Sequence, residues 1–321
     1  MRHSDRAFLL GPLLKGVSRS FYLTLRILPK GMRDPVGLAY LLARAADTIA
    51  DTTLIDPEQR LALLLELRAQ VNGARDNEAF AQRLSVEVAS RQTQSDEKVL
   101  LESLGPALEV LVQLEERDRD AVRDIVTTLT TGMEFDLRTF PDERSGRLAA
   151  LAEYDELDHY TYLVAGCVGE FWTTMTYAHA PGTLAGDRAE AMARGVRFGQ
   201  ALQMTNVLRD CAKDLRIGRC YLPAAMLGRY GLTPSDLLAP DASVRARPLM
   251  FELVGIALEQ FRAAMAYALS ISAWSVRLRL ACLWPILIGL ETLRLLVHND
   301  DWLDPHRISK VRRGEVYRIL A

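Results

Sequence analysis

The chain has 321 residues, of which 49% are hydrophobic and 25% charged, a composition typical of a globular protein. Its 39 basic and 41 acidic residues give a net charge of −2, so no one-sided basic field exists that would bind nucleic acid. The four cysteines are far apart, which argues against a disulfide framework or a zinc site. We therefore expect free thiols in a cytoplasmic protein without a secretory signal.

Apolar residues recur at spacings of three and four along nearly the whole chain, which predicts helices. Asp34-Pro35 and Asp56-Pro57 each place a capping carboxylate before a proline and therefore predict two helix starts. Further helices are predicted over 78–91, 96–114 with a break at Gly105-Pro106, 116–139, 151–179, 186–216, 247–273 and 276–298. No linker or repeat divides the chain, so we expect one all-α domain over residues 1–321, a helical bundle around a central cavity.

The longest apolar run extends from Leu280 to Leu290 and contains Pro285. It is shorter than the ~20 apolar residues that cross a bilayer, so we expect a core helix and no transmembrane anchor. Peripheral contact with the inner membrane is compatible with this pattern.

Two Asp-x-x-x-Asp motifs, Asp47 to Asp51 and Asp210 to Asp214, lie within predicted helices. Carboxylates at this spacing stand about 6 Å apart on one helix face, where their repulsion weakens the helix. A divalent cation explains the spacing better, because hard cations prefer oxygen ligands. Asn206 lies four residues before Asp210 and adds a third oxygen donor. Two such motifs predict a cluster of Mg²⁺ ions that receives a diphosphate.

Arginines accompany both motifs, since Arg44 precedes Asp47 by three residues and Arg209 directly precedes Asp210. Guanidinium groups bind phosphate oxygens, which favours a diphosphate site over the alternative of a solvated helix face with incidental ion pairs. Ser18-Arg19-Ser20 is either a further phosphate site or an ordinary helix start.

Tyrosines and small residues mark two more segments. Arg219 and Tyr221 follow the second aspartate motif, and the segment from Tyr160 to Gly169 contains Tyr162 and an unusually bare helix face. That face either packs closely against another helix or forms a tyrosine-lined groove for a long apolar ligand.

In this order, the segments resemble the squalene and phytoene synthase family of head-to-head prenyl transferases, and most of all a bacterial squalene synthase. The similarity runs from about Lys15 to Gly314 and comprises Ser18 to Phe21, Tyr40 to Asp51, Tyr160 to Gly169, Gln203 to Asp214 and Gly218 to Pro223. The resemblance implies the α-helical isoprenoid synthase fold, two prenyl diphosphate substrates and a Mg²⁺ cluster.

The resemblance also implies a role for each group of residues. The implied metal ligands are Asp47, Asp51, Asn206, Asp210 and Asp214. The implied diphosphate-binding residues are Ser18, Arg19, Ser20, Tyr40, Arg44, Arg209, Arg219 and Tyr221. The implied catalytic residues are Tyr160, Tyr162, Arg44, Arg209 and Gln203, of which Gln203 and the tyrosines would face the reacting chains.

Three positions depart from the family pattern. Ala50 and Lys213 stand where members often carry a further acid, and Leu163 stands where they often carry tyrosine. The departure at Leu163 leaves proton transfer open between Tyr160, Tyr162 and the released diphosphate.

The C-terminal segment bears on the product. Lys310, Arg312 and Arg313 lie in a segment that resembles one in squalene synthases, which implies contact with the phosphates of NADPH. A solvated basic tail is the alternative. We therefore expect a squalene synthase that joins two farnesyl diphosphates through presqualene diphosphate and reduces the product with NADPH. Phytoene, dehydrosqualene or presqualene diphosphate synthases without the reduction are alternatives, and a non-catalytic binding relative is a more distant one.

Overall fold

The computed structural model describes residues 6–18, 21–74, 77–140 and 142–320. The chain divides into two compact units: unit 1 comprises Met1–Leu137 and Thr174–Pro181, and unit 2 comprises Arg138–Thr173 and Gly182–Ala321. Helices account for most of the described residues, so the all-α prediction is confirmed. The prediction of a single domain stays a prediction.

Unit 1 is built from helices and their connecting turns. The helices are α1 (Arg6–Phe8), α2 (Leu14–Ser18), α3 (Phe21–Ile27), α4 (Lys30–Asp51), α5 (Pro57–Val71), α6 (Asn77–Glu87), α7 (Ser95–Glu102), α8 (Leu104–Val112) and α9 (Glu116–Thr139), of which α9 ends in unit 2. A π-helical turn, Leu9–Leu13, joins α1 to α2, and a 3₁₀ turn, Ala89–Arg91, precedes α7. Leu42 of α4 and Leu64 of α5 are fully buried, as the helical spacing of apolar residues predicts.

The helix that carries the first aspartate motif begins earlier than the sequence predicts. α4 starts directly after Pro29, so Pro35 lies inside the helix and the start predicted at Asp34 is wrong. Burial explains the extension, because Met32 and Val36 stand one turn apart and are both buried. Their apolar contacts offset the hydrogen bond that Pro35 cannot donate.

Two other boundaries show where local signals succeed and where they fail. The start at Asp56 is confirmed, since its carboxylate accepts a hydrogen bond from the Gln59 backbone N–H at 2.9 Å. The break within 96–114 falls at Ser103 rather than at Gly105-Pro106. Pro106 instead occupies the first turn of α8, where the backbone N–H has no partner within the helix.

Unit 2 contains the remaining helices and one short parallel pair of strands. Its elements are β1 (Ala149–Ala150), α10 (Tyr154–Thr161), α11 (Cys167–His179, which ends in unit 1), α12 (Arg188–Arg216), β2 (Arg219–Cys220), α13 (Ala224–Arg229), α14 (Ala242–Arg245), α15 (Arg247–Ser270), α16 (Val276–Val297) and α17 (Arg313–Leu320). A π-helical turn, Tyr162–Gly166, joins α10 to α11, and Pro234–Leu238 forms a 3₁₀ turn. Gly218 ends α12 at φ +85°, a conformation that favours glycine, and so turns the chain into β2.

Helix α16 is longer than the apolar run that predicted it. By length and composition alone its 22 residues could cross a membrane, a test that the core helix of a soluble protein also passes. Ile286 and Leu293 are buried, whereas Leu287 is 41% exposed. The helix therefore buries one face in unit 2 and leaves part of another exposed.

Candidate functional site

The first aspartate motif belongs to a group of four charged side chains in unit 1. Arg44 donates through Nη1 to the Asp47 carboxylate at 2.5 Å and through Nη2 to Glu97 of α7 at 2.8 Å. Asp51 completes the motif at the C-terminal end of α4. We call Arg44, Asp47, Asp51 and Glu97 the α4 cluster.

Negative charge exceeds positive charge in the α4 cluster. Burial, and secondly the charge of Asp51, raise the pKa of Asp47 to about 6, although Arg44 opposes the shift. The Asp47 side chain nevertheless remains 40% exposed. A cation that reaches Asp47 from solvent would relieve the repulsion between the carboxylates of Asp47 and Asp51.

Glu97 is a member of the cluster that sequence reasoning missed. Its side chain is 14% exposed, and its second carboxylate oxygen accepts a hydrogen bond from Gln92 Nε2 at 3.1 Å. In the sequence, Asp96-Glu97 has the appearance of an ordinary acidic first turn of a helix. Only the packing of α7 near α4 reveals that Glu97 fixes Arg44.

The predicted serine–arginine segment is only partly described. Ser18 is buried, and its hydroxyl donates to the Leu14 carbonyl within α2. The Tyr40 hydroxyl donates to the Val17 carbonyl at 3.5 Å, which brings the end of α2 beside α4. Arg19 and Ser20 lie outside the described residues, so the role of this segment in phosphate binding stays a prediction.

The second aspartate motif lies entirely on α12 in unit 2. Asn206, Asp210 and Asp214 follow one another at four-residue spacing and are all half-buried. Arg209 holds both oxygens of Asp210, with Nε 2.9 Å from Oδ1 and Nη2 bonded to Oδ2. Asn206 donates its amide to Gln203 Oε1 at 3.2 Å, which directs the Asn206 nitrogen to Gln203. We call these five residues the α12 cluster.

Ala50 and Lys213, the two positions where family members often carry a further acid, have different surroundings. Ala50 is 5% exposed, and its carbonyl accepts a hydrogen bond from buried Arg60 at 3.4 Å. An acidic side chain at that position would therefore be buried in unit 1, at a considerable cost in free energy. Lys213 is exposed on α12, where a charge of either sign is hydrated.

Tyr160 and Tyr221 form an aromatic stack in unit 2. Their ring centroids are 4.9 Å apart at an interplanar angle of 24°, and both side chains are 7% exposed. Phe140 contacts Tyr221 edge-on, also at 4.9 Å. The structure thus brings together two tyrosines that the sequence placed in separate segments.

Tyr162 makes a different contact. Its hydroxyl donates to the Glu170 carboxylate at 3.0 Å. Burial and this hydrogen bond raise the pKa of Tyr162 to about 12, so the hydroxyl stays protonated at neutral pH. Glu170 is a second residue that sequence reasoning missed. Two residues along a helix correspond to a rotation of about 200°, which explains why Tyr160 and Tyr162 have different partners.

The bare face of α11 packs against α12. A Cβ added at Gly169 would lie 1.8 Å from the Gly195 carbonyl oxygen, and one added at Gly166 would lie 3.2 Å from the Gln200 side chain. The glycines therefore allow the two backbones to approach closely. Close helix packing is therefore confirmed at these glycines, whereas the groove lined by the tyrosines stays a prediction.

The basic C-terminal residues are exposed and partly described. Lys310 and Arg312 are exposed, whereas the side chain of Arg313 lies outside the described residues. Asn299 donates its side-chain amide to the Arg307 carbonyl at 2.7 Å and to Ser309 Oγ at 3.1 Å. This pair of bonds fixes the path of the segment that leads to Lys310.

Across the described residues, no group of three or more His, Cys, Asp or Glu is arranged so that it could hold a metal ion. The donors in both clusters are instead carboxylate and amide oxygens, the chemistry that suits Mg²⁺. Because Mg²⁺ commonly keeps several water and phosphate ligands, one or two carboxylates per ion suffice. The donor sets therefore fit Mg²⁺ bound together with a diphosphate.

The chain is similar to known proteins in sequence and in fold. The family model described as squalene/phytoene synthase matches residues 14–315. A squalene synthase of Schizosaccharomyces pombe is 24% identical over 96% of this chain and 63% of its own length. The complex of TcSQS with the ligand E5700 gives a TM-score of 0.74 at 22% identity, covering 99% of this chain and 85% of that one. A dehydrosqualene synthase with bound ligand gives a TM-score of 0.66 at 21% identity, covering 99% and 95%.

These similarities carry different weight. The structural matches lie below 25% identity and show the fold alone, which confirms the α-helical isoprenoid synthase fold. The chain spans 63% to 66% of the length of three squalene synthases that it matches. The family model, in contrast, covers nearly the whole chain, and the protein therefore belongs to the squalene/phytoene synthase family.

Proposed function

We propose that the protein is a Mg²⁺-dependent prenyl transferase, a squalene synthase. It would join two farnesyl diphosphates head to head through presqualene diphosphate and reduce the product with NADPH. The observation that carries the proposal is the α12 cluster, in which a guanidinium is bonded to both oxygens of Asp210 on the same helix as Asn206 and Asp214. The proposed metal ligands and the proposed phosphate-binding group thus share one helix, an arrangement that would favour departure of a diphosphate.

The metal would be held by Asp47 and Asp51 in one cluster and by Asn206, Asp210 and Asp214 in the other. When bound, Mg²⁺ neutralises charge that develops on the leaving diphosphate. Arg209 then exchanges its carboxylate partner for a phosphate oxygen, because Asp210 is engaged elsewhere. Arg44 keeps Glu97 as a partner when Asp47 is engaged, so its guanidinium stays in place.

The tyrosines of unit 2, together with Glu170, would stabilise the carbocation and influence where its proton is transferred. The stacked rings of Tyr160 and Tyr221 present π-faces that stabilise a cation and exclude water. Tyr162 keeps its own proton at neutral pH and is therefore a hydrogen-bond donor rather than a base. Of the candidates that the sequence left open, this leaves Tyr160 and the released diphosphate as acceptors of the proton.

Lys310 and Arg312 would contact the phosphates of NADPH, which supplies hydride for the final reduction. Their exposed positive charges suit phosphate groups, and their backbone path is fixed next to Ser309. The proposed location is the cytoplasm, including its membrane surface.

Incubation of the protein with farnesyl diphosphate and Mg²⁺, with and without NADPH, tests the proposed reaction. Squalene that forms only with NADPH supports it. Dehydrosqualene, or presqualene diphosphate under both conditions, would show that the reduction is absent. Geranylgeranyl diphosphate as the preferred substrate would indicate a phytoene synthase. No turnover of any prenyl diphosphate would favour a binding protein.

A further inference from the structure

The turn between α15 and α16 carries an exposed apolar tip. Trp274 is 95% exposed, more than any other large hydrophobic side chain in the described part of the chain. Leu269 and Val276 on either side are 61% and 56% exposed, and Arg277 is exposed next to them. We call Leu269, Trp274, Val276 and Arg277 the hairpin tip.

Hydrogen bonds hold the turn below the hairpin tip in place. Arg279 Nη2 donates to the Leu269 carbonyl at 3.1 Å and also to the Ile271 carbonyl. The Ser272 N–H donates to the Thr183 carbonyl at 2.7 Å. The exposure of Trp274 is therefore a feature of an ordered turn, and the indole is presented to solvent on a fixed backbone.

The charge in the sequence around the hairpin tip is of one sign. Residues 260–290 contain three arginines and no aspartate or glutamate. One of them, Arg262, is paired with Glu259, but Arg277 and Arg279 follow the tryptophan without an acidic neighbour in sequence. The adjoining segment, Thr183 to Ala185, adds no charge, whereas Asp187 and Arg188, exposed and of opposite charge, lie just beyond it. An apolar tip with adjacent guanidinium groups is complementary to a surface that is anionic outside and apolar inside.

We propose that the hairpin tip docks on an anionic lipid bilayer. Tryptophan favours the membrane interface because its ring is apolar and its N–H polar, and nearby arginines are attracted to anionic headgroups. Leu269 and Val276 would enter the acyl boundary on either side of the indole. Three apolar side chains are well short of the ~800 Å² per partner that a stable protein interface buries, which disfavours a protein partner. This inference does not depend on the reaction proposed above.

Co-sedimentation of the full chain with phosphatidylcholine vesicles, with and without phosphatidylglycerol, tests the proposal. We expect binding to the anionic vesicles that weakens with added salt. Trp274→Ser should lower the partition coefficient about tenfold, and Arg277→Gln about fivefold. Matched controls are Val244→Ser, at a site 72% exposed, and Arg307→Gln, at a side chain 65% exposed, both in unit 2. Both controls should bind as the unmodified protein does.

Tryptophan fluorescence gives a second readout. Vesicles should shift the emission of the unmodified protein to shorter wavelength, and the shift should be lost in Trp274→Ser. Failure to sediment with anionic vesicles overturns the proposal, and so does equal binding by Trp274→Ser. Equal binding to neutral and anionic vesicles would refute the role of Arg277. A dimer in solution that Trp274→Ser dissociates would assign the surface to a second copy of the chain instead.

Discussion

The two aspartate motifs look alike in sequence but are assembled differently. The α4 cluster draws on two helices, since Arg44 bonds both to Asp47 on its own helix and to Glu97, 53 residues away. The α12 cluster draws on one helix, where Arg209 bonds to both oxygens of its neighbour Asp210. The first motif therefore depends on tertiary packing within unit 1, whereas the second is encoded almost entirely by local sequence.

The difference predicts different behaviour when ligands arrive. Arg44 is anchored by Glu97 whatever happens to Asp47, so the α4 cluster is pre-organised. Within the described part of the chain, the carboxylate partner of Arg209 is Asp210, so loss of that partner would free the guanidinium to turn toward a phosphate. In the proposed reaction, the α4 cluster would hold its ligands without rearrangement, whereas Arg209 in the α12 cluster would change its partner.

The largest effect is expected from removing a carboxylate charge in either cluster. Asp47→Asn and Asp210→Asn should each lower the turnover of farnesyl diphosphate by about 10²–10³-fold, because an amide of the same shape cannot neutralise Mg²⁺ as a carboxylate does. Product formation at saturating Mg²⁺ measures the loss. Asp241→Asn, at a side chain 65% exposed, is the matched control. Full turnover by either variant would refute the metal assignment for that cluster.

The next largest effect concerns the packing on which the α12 cluster rests. Gly169→Ala should lower the free energy of unfolding by about 2–3 kcal/mol, because the new Cβ would meet the Gly195 carbonyl oxygen and force α12 away. Urea denaturation measures the loss. Gly228→Ala is the control, since nothing lies within 4 Å of its added Cβ. An equal change in both variants would show that the close approach of the helices is unimportant.

The sequence predicted those features of the fold and the candidate site that depend on residues close together in the chain. The ladder from Asn206 to Asp214 and the helix start at Asp56 depend on spacings within a single helix, and both are confirmed. The start at Asp34 failed because burial of Met32 outweighed the proline signal. In that case a tertiary contact overrode a local preference.

Two acidic residues escaped sequence reasoning altogether. Glu97 bonds to Arg44, 53 residues away, and Glu170 bonds to Tyr162, eight residues away. Nothing in their local spacing distinguishes them from solvated acidic residues. The bare face at Gly169 had two interpretations, and only the position of α12 reveals that it packs closely against another helix.

A smaller effect on turnover is expected from substitution of Glu97, which belongs to the α4 cluster and has no counterpart in the α12 cluster. Glu97→Gln should lower turnover about tenfold, because a neutral amide holds the Arg44 guanidinium less firmly than a carboxylate does. Glu102→Gln, an exposed position on the same helix, should have no effect. A double-mutant cycle with Arg44→Gln should give a coupling energy of about 1–2 kcal/mol in the activation free energy. If Glu97→Gln lowers only the melting temperature, its role is structural and the contrast between the clusters weakens.

The smallest effect per unit of change is a pH dependence of the stability of unit 2, where all four cysteines and all four tryptophans lie. Burial raises the pKa of Cys167 and Cys282 from 9.0 to about 12. The folded thiols keep their protons while unfolded ones ionise, so their stabilisation is complete below pH 9 and is lost as the pH rises toward 12. Each thiol can lower the free energy of unfolding by at most about 1.4 kcal/mol per pH unit in that window.

Urea unfolding followed by tryptophan fluorescence should show that the free energy of unfolding of Cys282→Ala falls less steeply with pH, since one ionising thiol is gone. An unchanged slope would show that buried thiols do not determine the alkaline stability of unit 2.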